Sequence, residues 1–225
     1  LFLFLQKISE GIRRLFAKAR GICAYSPRKV IAASGPRRAS RERKCMLAAA
    51  GAGERDIDGL FFVTENPSLI KGYKGGILTP NKVEFIRLFH SVLKTNPDPS
   101  SANDQAYVEQ LSSALEGVTV VQKGRLDVIS DGNQTIVCEE EGSVRRCGGQ
   151  GDLLSGSLAT YAAWANKFYS QKSEVKPNIA AAFVACVLTK RCNRAAFNKF
   201  GRSTTTTEML SEIPEIVREF DHLIS

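Results

Sequence analysis

Histidine is almost missing from this chain, with two in 225 residues, His90 and His222. The six cysteines (Cys23, Cys45, Cys138, Cys147, Cys186 and Cys192) contain no Cys-x-x-Cys pair. Those two shortages exclude the common zinc ligand sets and favour reduced thiols in an intracellular protein over a disulfide scaffold. Long apolar runs are also lacking. None approaches the roughly eighteen residues a membrane span needs, and Leu1-Phe2-Leu3-Phe4-Leu5 is far too short. Acidic residues are scarce at one end only. Residues 1–50 carry twelve Lys and Arg against two Asp and Glu, while the remainder carries nineteen against twenty-one. The sequence pI of about 9.3 therefore describes a basic N-terminal arm, and the mildly acidic body gives no reason to expect a nucleic-acid enzyme. The arm reads as a solvated, poorly ordered tail, an organelle-targeting segment, or a segment that binds nucleic acid or a membrane surface, and the residues leave these open.

The apolar content, 43% of residues, is that of a globular protein with one sizeable core. Weak helical periodicity over Leu1–Ala19 gives way to a Pro, Ser, Ala and Arg-rich stretch over Gly21–Lys44, and order is expected from about Asp56. Gly76–Pro80 reads as a buried strand ended by proline, and Val83, Ile86, Leu88, Phe89 and Val92 recur at helical spacing. A second helix is expected over Gln105–Leu115 and a strand over Val118–Lys123. Asp131-Gly132-Asn133 reads as the turn of a β-hairpin between Asp127–Ser130 and Thr135–Cys138. Helices are expected over Leu153–Phe168 and Ile179–Cys192, and Thr205 with Glu208 forms a capping box for a last helix through Ile224. Strands alternating with helices predict an α/β layered fold, a mostly parallel sheet flanked by helices.

Against these shortages stands a concentration of glycine at Cys147-Gly148-Gly149-Gln150-Gly151-Asp152. Three glycines in four positions build no core. They leave backbone N–H groups bare at the start of an apolar helical run, which suits an anion. Arg145 and Arg146 add cations, and Asp152 is placed to take a proton from a hydroxyl. The competing reading is a plain loop with Asp152 near a helix cap. Asn81 and Glu84 share a first helical turn, where an amide and a carboxylate can hold a hydrated Mg²⁺; the same pair is also an ordinary capping arrangement. Lys123, beside Gly124 at a strand end, suits a phosphate, or else belongs to a charged turn. Asp56 and Asp58 precede Leu60 and either face the same crevice or cap a helix. Trp164, Tyr161 and Phe168 read as packing residues, Glu139–Glu141 as a solvated charge run, and His90 as structural.

In this order, these motifs resemble the ribokinase-like family, and within it the ATP-dependent (S)-NAD(P)H-hydrate dehydratases of the carbohydrate-kinase type. The carriers are Asp56-Ile57-Asp58-Gly59-Leu60, Leu78-Thr79-Pro80-Asn81-Lys82-Val83-Glu84-Phe85, Val120-Val121-Gln122-Lys123-Gly124, Arg145 through Gly156, and Gly201-Arg202-Ser203-Thr204-Thr205. The resemblance implies that the S epimer of hydrated NADH or NADPH is phosphorylated by ATP with Mg²⁺ and then loses phosphate. It implies Asp152 as the base and Asn81, Lys82, Val83, Glu84, Phe85, Ile86, Arg87 and Asp152 as the hydrate site, with Asn81 and Glu84 near the metal through water. It implies ATP at Lys123, Gly124, Arg125, Leu126, Asp127, Gly142, Ser143, Val144, Arg145, Arg146, Cys147, Gly148, Gly149, Gln150 and Gly151. A vitamin or sugar kinase of the same fold, and an inactive nucleotide-binding fragment, are the alternatives. The expected partners are small molecules, ATP and the hydrate, without nucleic acid or a membrane span. A homo-oligomer stays open, as does the choice between a cytoplasmic and a mitochondrial location. The strand–helix units that open such proteins, with their Gly-rich and Gly-Pro-Gly-Leu-Gly turns, have no match here. Residues 1–55 are therefore expected to be a family-foreign, poorly ordered basic segment and 56–225 the C-terminal part of the catalytic domain. The absence of an initial Met reads the same way, as a fragment or processed form.

Overall fold

In a computed structural model, which describes residues 31–33, 59–98, 104–168 and 174–222, the short apolar runs become strands and the helical patterns become helices. The readings made over residues 1–19, 21–30, 34–58 and 99–103, Asp56 and Asp58 among them, lie outside the described residues. The described residues form two compact units, one ending at Glu139 and the other beginning at Glu140.

The first unit is built on a five-stranded sheet in the order β1 (Ile31–Ala33), β2 (Gly76–Leu78), β3 (Thr119–Gln122), β4 (Asp127–Ser130), β5 (Thr135–Cys138). β1 lies within the Gly21–Lys44 stretch where no ordered element was expected, and it runs parallel to β2 with Ala32 opposite Ile77. β2 runs parallel to β3 with Leu78 opposite Val120. β3, β4 and β5 are antiparallel, with Val121 opposite Ile129 and Val128 opposite Val137. The sheet is therefore mixed, and loop length explains where it changes. A parallel return needs a crossover of a dozen or more residues, whereas Lys123–Leu126 and Asp131–Gln134 are too short for anything but hairpins. The second hairpin turns where Asp131 Oδ1 accepts the N–H groups of Asn133 at 3.0 Å and Gln134 at 2.9 Å.

All four residues of β3 are buried, as befits a strand covered on both faces. Helices α1 (Gly59–Glu65), α2 (Lys82–Leu93) and α3 (Asp104–Ala114) contribute to the same core as the sheet. The helical spacing of Phe85, Leu88 and Phe89 brings these side chains to one face of α2, where they meet Leu78, Val120, Val108 and Leu111. Phe89 lies at the centre of this core, 5.8 Å from the Phe85 ring and edge-on to Tyr107 at 5.6 Å.

The second unit is helical in its described part: α4 (Gln150–Phe168), α5 (Pro177–Phe200) and α6 (Thr206–His222). α4 begins ahead of the expected Leu153, because the Gly149 carbonyl already accepts the N–H groups of Asp152 and Leu153. α5 runs past the expected Ile179–Cys192 at both ends, from Pro177 to a stop at Gly201. Asn193 and Arg194 resemble a helix end in sequence, yet both carry hydrogen bonds from within the helix. α5 is buried along most of its length, with α4 and α6 packed on it. At the start of α6 the carboxylate side of the expected capping box forms: Glu208 accepts the Thr205 N–H at 2.8 Å and also its hydroxyl. Those two bonds hold the Glu208 carboxyl below the usual carboxylate range, the hydroxyl contributing most. No helix among the described residues is long and apolar enough to cross a membrane.

The position of Phe89 gives a stability prediction. Phe89→Ala empties the centre of the sheet–helix core and is expected to cost about 3–5 kcal/mol. Phe61→Ala, at a side chain 47% exposed, is expected to cost well under half of that. Urea unfolding followed by circular dichroism checks the pair, and equal losses contradict this packing.

Candidate functional site

In the sheet unit, the sequence-predicted residues gather past the carboxyl ends of β2 and β3. Pro80 ends β2, but the chain stays paired beyond it. Lys123 N–H donates to the Pro80 carbonyl at 2.8 Å, and Asn81 and Lys123 form an isolated parallel bridge. This crevice outside parallel strand ends is where open α/β sheets place their ligands.

Asn81 then caps α2. Its Oδ1 accepts the N–H groups of Val83 and Glu84, each at 3.0 Å, and Glu84 Oε2 accepts the Asn81 N–H at 2.7 Å. The capping reading is therefore realised in full. The cap occupies Asn81 Oδ1 and one oxygen of a Glu84 side chain only 9% exposed, and the second carboxylate oxygen lies outside it. Among the described residues no group of three His, Cys, Asp or Glu side chains is placed to hold a metal. The rest of the predicted hydrate segment divides by helix face. Lys82, Val83, Ile86 and Arg87 are exposed, whereas Phe85 is a core side chain and offers a ligand nothing but backbone.

The Lys123–Asp127 turn is drawn tight by its own ends. Asp127 Oδ1, from a buried residue, accepts the Gly124 N–H at 2.9 Å, and a Cβ on Gly124 would lie 2.7 Å from the Leu126 carbonyl oxygen. Arg125 and Leu126 stand exposed at its tip. Next to it, Gln122 is 5% exposed and its Oε1 has no hydrogen-bond partner among the described residues, an uncommon state for a buried acceptor.

In the helical unit, residues 142–149 form a strap that leads into α4. Gly142, Val144, Arg145, Arg146 and Gly148 are exposed, and Val144 is almost wholly so. Gly149 has φ +86°, and a Cβ there would also meet Thr206 Oγ1 at 3.0 Å, so this residue turns the strap into the helix on two counts. The first N–H groups of α4, at Gln150 and Gly151, have no acceptor within the helix, and the helix dipole adds partial positive charge there. Asp152 is exposed in the same first turn. An apolar groove of about 570 Å³ runs from Gly149, Asp152 and Thr206 along α4 and α6 towards Trp164 and Val217.

Sequence reading missed what holds this strap. Asn193, Arg194 and Thr206 bond to its backbone from α5 and α6, about fifty residues away in the chain. Glu140 at its base pairs with Arg194 at 2.7 Å and Arg191 at 3.0 Å, and Arg191 reaches Glu219 and lies over the Phe220 ring. The available signal was weak: polar residues at helical spacing inside an otherwise apolar helix.

A family model described as NAD(P)H-hydrate dehydratase, of the carbohydrate-kinase type, matches residues 55–215. The chain belongs to this family. It is 51% identical over 159 residues to the ATP-dependent (S)-NAD(P)H-hydrate dehydratase of Rattus norvegicus, covering 70% of this chain and 46% of that protein. The Homo sapiens protein of that name is 52% identical over 159 residues, covering 70% and 45%. The chain thus spans about half the length of the curated relatives it matches. A ribokinase-like superfamily protein of Enterococcus faecalis V583 shares the fold at a TM-score of 0.53 and 20% identity, covering 72% of this chain and 50% of that one. Both the strap and the Asn81 turn lie within the part that matches the family.

The thiols of this unit differ in burial. Burial, with the charges of Glu212 and then Glu219, pushes the Cys192 thiol up to about 12, so it is neutral near neutral pH. Cys147 on the strap is only half-buried. Iodoacetamide at pH 8 is therefore expected to alkylate Cys147 well before Cys192, read by peptide mass spectrometry; the reverse order contradicts the burial.

Proposed function

We propose that residues 56–225 are the C-terminal part of a ribokinase-like catalytic domain that dehydrates the S epimer of hydrated NADH or NADPH at the expense of ATP. The observation that carries this is the glycine strap opening α4 with Asp152 in its first turn, in a chain 51–52% identical over 159 residues to proteins bearing that name.

The chemistry follows from leaving groups. Hydroxide leaves a carbon poorly, and phosphate leaves well. Asp152 takes the proton of the ring hydroxyl as its oxygen attacks the γ-phosphorus of ATP and the bond to the bridging oxygen of ADP breaks. The carbon–oxygen bond then breaks with its electron pair leaving on phosphate, a proton is lost from the neighbouring carbon, and the ring double bond returns. The N–H groups of Gly148 to Gly151 and the start of α4 hold the phosphoryl oxygens as charge spreads over them. The strap from Gly142 to Cys147 and the turn from Lys123 to Asp127 bind ATP. Asn81, Lys82, Val83, Glu84, Ile86 and Arg87 take the hydrate, with Phe85 giving shape from below.

The donor atoms around Asn81 fit a Mg²⁺ ion only through its hydration shell. Direct ligation by Asn81 Oδ1 or Glu84 Oε2 would break the cap, whereas the other Glu84 oxygen can order a metal-bound water. When bound, the ion would neutralise phosphate charge.

The test is ATP-dependent recovery of NADPH absorbance from its hydrate. Asp152→Ala is expected to lower turnover by about 10²–10⁴-fold while ATP still binds by calorimetry. An unchanged rate removes Asp152 from the base role. A stable phosphorylated product, seen by mass spectrometry, would point instead to a kinase of this fold.

A further inference from the structure

A glycine strap cannot hold itself in place, so the groups that fix it decide whether its N–H donors stand ready for phosphate. Asn193 is the most completely committed of them. It sits on α5 and is 1% exposed. Its Oδ1 accepts the Ser143 N–H at 2.6 Å, and its Nδ2 donates to the Arg145 carbonyl at 3.0 Å. One planar amide thus reads a donor and an acceptor two residues apart, as a neighbouring strand would. The strap passes directly over it, since a Cβ on Gly142 would lie 3.1 Å from Asn193 Oδ1. Arg194 ties down the Glu141 carbonyl at 2.8 Å on one side, and the Thr206 hydroxyl ties down the Gly148 carbonyl on the other. Between these two clamps, Asn193 is the buried one. Neither hydrophobic nor charged side chains of similar size satisfy both backbone groups. Leucine offers no partner, and aspartate offers an acceptor to Ser143 but faces the Arg145 carbonyl with negative charge.

We propose that Asn193 is a positioning residue for the nucleotide strap. It touches no phosphate, and it sets the path of Ser143–Arg145 so that the amides of Gly148–Gly151 are held ready for the ATP phosphates. This rests on the assignment of residues 142–151 to ATP.

The experiment compares the full chain with Asn193→Ala and Asn193→Asp, by hydrogen exchange on peptides spanning residues 141–149 and by calorimetric titration with ATP. Asn193→Ala is expected to speed exchange across the strap by roughly tenfold and to weaken ATP binding by a similar factor, the worth of an ordinary buried hydrogen bond. Asn193→Asp is expected to keep Ser143 protected and to recover part of the affinity. Unchanged strap exchange in both variants overturns the proposal. So does fast exchange with ATP affinity intact, and so does weakened binding with exchange raised evenly over the whole chain. If the unaltered chain takes up no ATP, the assignment to ATP fails, and the exchange comparison still decides whether Asn193 holds the strap.

Discussion

Backbone amides bind an anion well only when they are already in place, and glycine brings no side chain to keep them there. The second unit is organised around that constraint. Its glycine turn is not packed; it is tied. A buried amide on α5 holds the strap at its middle, a guanidinium holds its entry, and a hydroxyl at the start of α6 holds its exit. α5 is buried along most of its length, which fixes where Asn193 and Arg194 stand.

The sheet unit meets a related demand by different means. There the candidate residues stand past the ends of paired strands, and main-chain hydrogen bonds do the positioning. Lys123 stays bonded to Pro80, Asn81 closes the first turn of α2 with Glu84, and Gly124 is held by Asp127. Each tie is short in sequence or follows from strand pairing. Phe85 and Phe89 anchor α2 from beneath, which leaves Lys82, Val83, Ile86 and Arg87 on the open face.

That difference explains what could be read in advance. The Asn81–Glu84 cap is local, a spacing of three on one turn, and it formed as the spacing implied. The hairpin at Asp131 was equally legible, since the turn residues and the two apolar runs lie within a dozen positions. The expectation of a mostly parallel sheet with one hairpin missed the antiparallel pairing of β3 with β4, although loop length contains it: four residues cannot carry a crossover. The C-terminal end of α5 was misjudged where a polar side chain had a distant partner. Asn193 looks like a terminator until its bonds to Ser143 and Arg145 are known. The likeness of the motifs to one family was legible from the residues alone, because each motif lies within a dozen consecutive positions.

By itself the sequence determined most of the strands and helices from Gly76 onward, the Asn81–Glu84 cap, the Asp131 hairpin and the position of a bare glycine turn before an Asp-bearing helix. All of these depend on contacts within a few residues, where backbone geometry leaves few choices. Tertiary structure alone decided which side chains hold the turn, that Phe85 belongs to the core while its neighbours face outward, and that Gln122 keeps a buried oxygen without a partner among the described residues. Those outcomes depend on groups separated by tens of residues, and what brings such groups together is the packing of whole helices and strands, which no local pattern encodes.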